Sequence, residues 1–283
     1  VCAGQEHIWG DIKLKKLLPG QKFTNNQVSE FFQCSTQGGM RRSLKTNSLV
    51  LISNKVKSIY QDRIIGNNIY YTGMGQTGNQ SLNGTQNKTL NESHSNGVNI
   101  HFFEVLEEKV YEYIGEVFLA AKPFQEIQPD SNNTNRSVWI FPLQLKEGFE
   151  LQIIEDKKIK QLSKIRTKEV KKLPRAVIQS RANLSSKKPG ARQVKSTQFL
   201  RNEYVVEEAK LRANGICQLC KEAAPFSNKH NEPYLETHHI VWLAKGGDDS
   251  LSNTVALCPN CHRKMHILDL ESDKKILLDL KKN

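Results

Sequence analysis

Two Cys-x-x-Cys pairs frame the end of the chain, Cys217-Gln-Leu-Cys220 and Cys258-Pro-Asn-Cys261, with 37 residues between them. Four thiolates at such spacing close a tetrahedral Zn²⁺ site, a staple that lets a small segment fold where core burial alone leaves it marginal. A site with four protein ligands has no open position, so this zinc is structural and a reacting metal must sit elsewhere. Cys2 and Cys34 are left over and read as inert. The pairing argues against a disulfide framework.

Between the two pairs, the apolar-rich run from Leu235 to Leu243 predicts a strand, Lys245-Gly246-Gly247-Asp248 a turn, and Asn253 to Cys258 a returning strand. His262 and His266 then fall one turn apart on one face of a helix. Phosphodiester hydrolysis needs a base for the attacking water and a divalent ion for the charge that develops on the phosphate. Imidazoles, with a pKa near ~6.5, can serve as both base and ligand at neutral pH. This ββα outline, with His238-His239 on the first strand, Asn253 on the second and His262 directly after Cys261, resembles the HNH endonuclease family (McrA-like, ββα-metal) over roughly residues 211–268. The resemblance implies that His239 is the general base and that Asn253 fixes the hairpin and orients it. It also makes His238 and His262 metal ligands, and His266 a further ligand or phosphate contact. The ion is Mg²⁺, Mn²⁺ or another divalent metal, and the products carry 5′-phosphate and 3′-hydroxyl ends. Asn260 is a rival for the central Asn, but it lies inside a knuckle whose geometry zinc already fixes.

The charge is as unevenly placed as the cysteines. Residues 156–200 hold 14 Lys/Arg against 2 Asp/Glu, which accounts for the whole net charge of +12. Ser, Pro and Gly are interspersed there, so the segment reads as a hinge with one basic helix, suited to phosphate contact. No apolar run is long enough to cross a bilayer, and the first residues lack the pattern of a secretory signal, so a prokaryotic cytoplasm is expected.

Upstream, residues 8–145 alternate β-rich runs (Ser48 to Ser53, Val98 to Val105) with an Asn/Gly/Ser-rich stretch, Gly75 to Gly97, expected to be an ordered functional loop. The runs Ile69-Tyr-Tyr71-Thr-Gly73-Met-Gly75, Gln86-Asn87-Lys-Thr-Leu90-Asn91, Val98-Asn-Ile-His-Phe-Phe-Glu and Tyr111-Glu-Tyr113-Ile-Gly115 resemble the SRA (SET and RING associated) domain. Such domains flip a modified cytosine into a pocket. By that resemblance Tyr71 stacks on the base, Asp62 accepts from its amino group, and Tyr60 stands one position from the second stacking aromatic. The segment before Tyr60 lacks the family's usual Gly-Gly-Tyr.

The expectation is therefore an α+β protein: an SRA-like (PUA-like) twisted β-barrel or sheet at 1–150, a basic linker at 151–200, and a zinc-knuckled HNH domain at 201–283. Its partner is double-stranded DNA carrying 5-methylcytosine or 5-hydroxymethylcytosine. A double-strand break requires a homodimer or two sequential visits. Two rival readings are a sequence-specific HNH endonuclease acting on unmodified DNA, and a non-catalytic reader of modified DNA.

Overall fold

The computed structural model describes residues 17–57, 60–184 and 189–280, and Cys2 lies outside them. The chain divides into two compact units, Val1–Ser196 and Thr197–Asn283.

The first unit is built on nine strands: β1 (Lys22–Phe23), β2 (Met40–Ser43), β3 (Ser48–Asn54), β4 (Arg63–Ile65), β5 (Asn68–Thr72), β6 (Asn99–Glu107), β7 (Val110–Leu119), β8 (Phe124–Pro129) and β9 (Asn135–Leu145). They form one sheet in the order β2-β3-β6-β7-β9-β5-β4, with β1 on β7 and β8 on β9. Only β3 and β6 run parallel among these pairs. Both strands are apolar on both faces because each face is covered. Leu49, Leu51, Ile100 and Phe102 enter one core, and Val50, Ile52, Phe103 and Val105 enter the other.

Helix α1 (Asn25–Phe32) closes the second core with Val28 and Phe32. Thr24 and Gln27 cap it reciprocally: the Thr24 hydroxyl accepts from Gln27 N, and Gln27 Oε1 from Thr24 N at 2.8 Å. At the bulge between β6 and β7, Gly115 takes φ +153°, and a Cβ there would meet the Phe149 ring at 2.6 Å.

The Asn/Gly-rich stretch is ordered. It contains helix α2 (Thr85–Asn91), and two buried amides tie it down. Asn87 Oδ1 accepts from Met74 N at 2.7 Å, and Gln80 Nε2 donates to Gly73 O at 2.6 Å.

The basic segment differs from the expected free hinge with one helix. Strand β10 (Ile154–Glu155) leads into two helices, α3 (Asp156–Val170) and α4 (Arg175–Asn183). The chain then returns through β11 (Val194–Lys195), which pairs in parallel with β10. Leu162 of α3 is buried, Ala191 N donates to Ile64 O at 2.9 Å, and Arg192 pairs with buried Glu104 at 3.1 Å. A few apolar and charged anchors suffice to fold the segment back onto the sheet, while the second half of α3 stays exposed along its length.

The second unit comprises α5 (Glu203–Ala213), the hairpin β12 (Glu236–His239) and β13 (Thr254–Leu257), α6 (Pro259–Leu268) and α7 (Glu271–Asp279). Its small core holds Leu235, Ile240, Val255, Leu257, Met265 and Leu277. No described helix is long and apolar enough to cross a membrane.

Candidate active site

Cys217, Cys220, Cys258 and Cys261 bring their four Sγ atoms within 4.8 Å of one another. A tetrahedral zinc with Zn–S bonds of about 2.3 Å calls for sulfurs a little under 4 Å apart, and Cys220 and Cys258 lie at 4.0 Å. Cys258 caps α6, its Sγ accepting from Cys261 N at 3.4 Å, with Pro259 opening the helix. Burial opposes ionisation of Cys217, but backbone donors from Cys258, Cys220 and Leu219 outweigh it and hold the thiol down at about 7. The residues fit Zn²⁺: four soft donors converge, and the site anchors β13 and α6 to the loop before β12.

A second cluster lies across the hairpin. His238 on β12 and His262 and His266 on α6 place ring nitrogens within 4.8 Å of one another. His238 is 1% exposed, and both of its ring nitrogens are buried without a hydrogen-bond partner. A buried imidazole with neither nitrogen satisfied costs stability in a metal-free fold, which fits a ligand. Burial, and then the neighbouring His262 and His266, hold its pKa at about 3, so the ring is neutral and competent to bind a metal. His266 is lowered in the same way, by burial first and then by His262.

Two carboxylates that the sequence reading missed complete the site. Glu236, two residues before His238 on β12, accepts from His262 Nδ1 and turns Nε2 of that ring towards His266 Nε2, 3.0 Å away. Tyr234 donates to the other oxygen of Glu236 at 3.2 Å. Asp249 Oδ1 lies 2.8 Å from His239 Nε2. The period-2 spacing of Glu236 and His238 was the available signal for the first. The second comes from a loop whose path spacing does not give.

Asn253 sits at the hairpin it was expected to fix, and it acts on His239 only through the loop. Its side chain does not touch His239: Oδ1 accepts from Val241 N at 2.8 Å, and Nδ2 donates to Val241 O at 2.9 Å and Asp248 O at 2.8 Å. It clamps the ends of the hairpin loop, while Asp249 holds the imidazole. Asn260 is the second residue of α6, within the knuckle.

In the first unit, Asp62, Tyr60 and Tyr71 come together at one end of β5. Asp62 Oδ1 accepts from Thr72 N at 2.8 Å, and Oδ2 accepts from Ser53 Oγ at 2.8 Å. Tyr60 is half-buried and donates to Gly75 O at 3.0 Å. Tyr71 was expected to offer a stacking face, yet the ring is 3% exposed, packs edge-on against Phe102, and donates to Gly39 O at 2.8 Å. Strand alternation turns it into the core. Burial, then the neighbouring Asp62 and Tyr60, raise its pKa well above the usual phenol range.

A family model described as "ScoMcrA-like, SRA domain" matches residues 19–162, just over half of the chain. The chain belongs to the ScoMcrA-like SRA family. A model for the HNH endonuclease family matches residues 217–267, the segment that holds both clusters of the second unit. This SRA–HNH chain is 44% identical over 68 residues to the Type IV methyl-directed restriction enzyme EcoKMcrA of Escherichia coli (strain K12), an alignment that covers 24% of each protein. The chain thus spans about a quarter of the length of that relative. It is 32% identical over 57 residues to Anaredoxin of Nostoc sp., covering 20% of this chain and 64% of that one.

Among solved structures it is similar to the Type IV phosphorothioation-dependent restriction endonuclease ScoMcrA (16% identity, TM-score 0.40, 93% of this chain and 60% of that chain). The modification-dependent TagI restriction endonuclease matches at 19% identity and TM-score 0.35, covering 88% and 78%. An SRA domain of SUVH5 bound to hemimethylated CG DNA matches at 20% identity and TM-score 0.39, covering 49% and 94%.

Proposed function

We propose that this SRA–HNH chain is a modification-dependent DNA endonuclease, in which residues 1–150 read a modified cytosine, 151–200 track the backbone and 201–283 cut. The observation that carries the nuclease reading is His238, buried with both ring nitrogens unpartnered and facing His262 and His266. His239 follows it in the sequence, held by Asp249 through Nε2. That bond places the proton on Nε2 and leaves Nδ1 as the nitrogen that takes a proton from the attacking water. His238, His262 and His266 hold a divalent ion such as Mg²⁺ or Mn²⁺. When bound, this ion supplies the positive charge that the phosphate and the leaving 3′-oxygen need, giving 5′-phosphate and 3′-hydroxyl ends.

For the reader, Asp62 accepts from the amino group of a flipped 5-methylcytosine or 5-hydroxymethylcytosine, a group thymine lacks. Two of its lone pairs face Ser53 and Thr72 N, so the carboxylate is oriented before DNA arrives. Tyr60, half-buried and bonded to the carbonyl of Gly75, is the aromatic left to border the base, since Tyr71 is turned into the core. On α3, Lys164, Arg166 and Lys168 are exposed and suited to phosphates.

The test is cleavage of three matched duplexes, containing cytosine, 5-methylcytosine or 5-hydroxymethylcytosine, in Mg²⁺ and in Mn²⁺, with His239→Ala as control. Cutting confined to a modified duplex and lost in the variant is the expected result. Equal cutting of all three removes the reader. Binding to modified DNA without cutting, unchanged by His239→Ala, leaves a non-catalytic module.

A further inference from the structure

The carboxylate of Asp249 has two partners on different parts of the second unit. Oδ1 lies 2.8 Å from His239 Nε2, and Oδ2 accepts from the backbone N–H of Asn202 at 2.6 Å. Asn202 is the N-cap of α5, and its own side chain accepts from Tyr204 N at 3.0 Å. The carboxylate therefore ties the hairpin that carries His239 to the residue at which the chain enters the first helix of the unit.

The loop that supplies Asp249 is itself rigid. Asn253 bonds both backbone groups of Val241 and the carbonyl of Asp248. Gly247 passes so close beneath this clamp that a Cβ there would lie 2.0 Å from Val241 O and 2.9 Å from Asn253 Nδ2. A carboxylate held from behind by a loop clamp and from the side by a backbone donor has little freedom to leave the imidazole.

We infer that Asp249 is the positioning residue for His239: the fork between His239 Nε2 and Asn202 N fixes which ring nitrogen carries the proton and where the other one points. The inference rests on His239 being the base, as proposed above. Its chemistry is that of an anionic acceptor on the far side of a base imidazole, which holds one tautomer without itself taking the proton. The anchor on Asn202 makes the hold depend on the entry to α5.

The experiment uses the full chain, the modified duplex that it cuts best, and single-turnover rates with ¹⁵N spectra of the histidines. Asp249→Ala is expected to lower the rate about 10–100-fold with KM unchanged, and to replace the Nε2–H signature of His239 by a mixture of tautomers. Asp249→Asn restores part of the rate, because the amide oxygen serves one donor while its NH₂ repels the other. Asn202→Pro removes the anchoring N–H together with the side-chain cap on Tyr204 N, at a φ of −76°, which proline adopts. Its rate is expected to fall below that of Asn202→Ala, which loses the same side-chain cap but keeps the N–H. A wild-type rate and unchanged His239 spectrum in Asp249→Ala overturn the inference. So does an equal rate for the two Asn202 variants, which reduces the fork to a simple pair. The base assignment has its own control: if His239→Ala still cuts, the parent reading fails, whereas loss in His239→Ala with no loss in Asp249→Ala sinks the positioning role alone.

Discussion

His101 and His238 are both strand histidines withdrawn from water, and burial lowers both, to about 4 and about 3. Their surroundings differ. His101 lies on β6, its Nδ1 3.2 Å from the Tyr113 hydroxyl and its ring 4.7 Å from that of Phe32. His238 has no partner on either nitrogen and faces two other imidazoles. The same contrast separates the candidate sites of the two units. In the SRA unit, Asp62 and Tyr71 are engaged by Ser53, Thr72 and Gly39. In the HNH unit, the ligand atoms converge on one another, while Glu236 and Asp249 supply partners from behind. A metal site of this kind draws part of its folding energy from the ion it binds. A carboxylate with one internal bond on each oxygen keeps lone pairs for a further donor, so those bonds orient it.

The sharpest way to break the contrast is to remove one thiolate of the four-cysteine cluster, whose donors fit zinc. Cys258→Ser takes away a thiolate ligand while leaving a hydroxyl that can still cap α6. Because structural zinc contributes on the order of 10 kcal/mol to small domains, the HNH unit is expected to unfold while the SRA unit keeps its own thermal transition. Differential scanning calorimetry resolves this. A single transition shifted as a whole would mean that the two units do not fold independently.

Next in size is Glu236→Gln. The amide can no longer act as a charged acceptor for His262, so metal affinity at the histidine cluster is expected to fall about 10–100-fold, read by calorimetric titration of Mn²⁺ into zinc-loaded protein. The melting temperature of the metal-free protein should barely move, since Glu236 is partly solvated and the hydrogen bond survives in neutral form. An unchanged Mn²⁺ affinity would remove Glu236 from the site.

Asp62→Ala probes the opposite arrangement. Here the carboxylate is engaged internally, so its loss leaves Ser53 Oγ and Thr72 N without a partner, at a cost of roughly 1–3 kcal/mol. Both the stability of the SRA unit and its preference for modified DNA should drop, measured by thermal melts and by competition between modified and unmodified duplexes. Loss of preference with no loss of stability would show that the bonds seen here are not what orients the carboxylate.

How much of this was legible in the sequence follows the same division. The convergence of the cysteine pairs and of His238, His262 and His266 could be read because residues able to bind a metal are sparse and chemically distinctive, at short spacings set by a hairpin and one helix turn. Asp249 was not legible, since an acidic residue in a Gly-Gly-Asp-Asp turn looks like any solvated turn until the loop path is known. Asn253 was read as fixing the hairpin, but its partners Val241 and Asp248 were not legible, because the clamp depends on how closely Gly247 passes. In the SRA unit the strands at Ser48 and Val98 were plain from their runs of β-branched and aromatic residues. The inward turn of Tyr71 was not, since Tyr70 and Tyr71 are adjacent and composition does not say which one faces the core. The fold-back of the basic segment rests on a few anchors, Leu162, Ala191 and Arg192, scattered among charges that predict a solvated spacer.

The last effect concerns His101, seen only on the acid side, and it tests whether a satisfied buried histidine still leaves a mark on stability. Its pKa in the folded protein is about 4, set by burial first, with Glu116 acting to raise it and Lys146 to lower it. The unfolded chain takes up its proton near pH ~6.5. Between those two values the unfolded state binds the additional proton, so stability falls as pH drops from about 6.5 towards about 4 and this contribution levels off below. His101→Phe keeps the ring against Phe32 but loses the bond to Tyr113, so the variant starts from lower stability at neutral pH and lacks this acid-side loss. The gap between the two melting curves should therefore narrow on acidification. A gap that stays constant from pH 7 to pH 4 would mean that His101 is protonated in the folded protein as readily as in the unfolded chain, and that β6 opens to water more easily than its packing against Phe32 and Tyr113 allows.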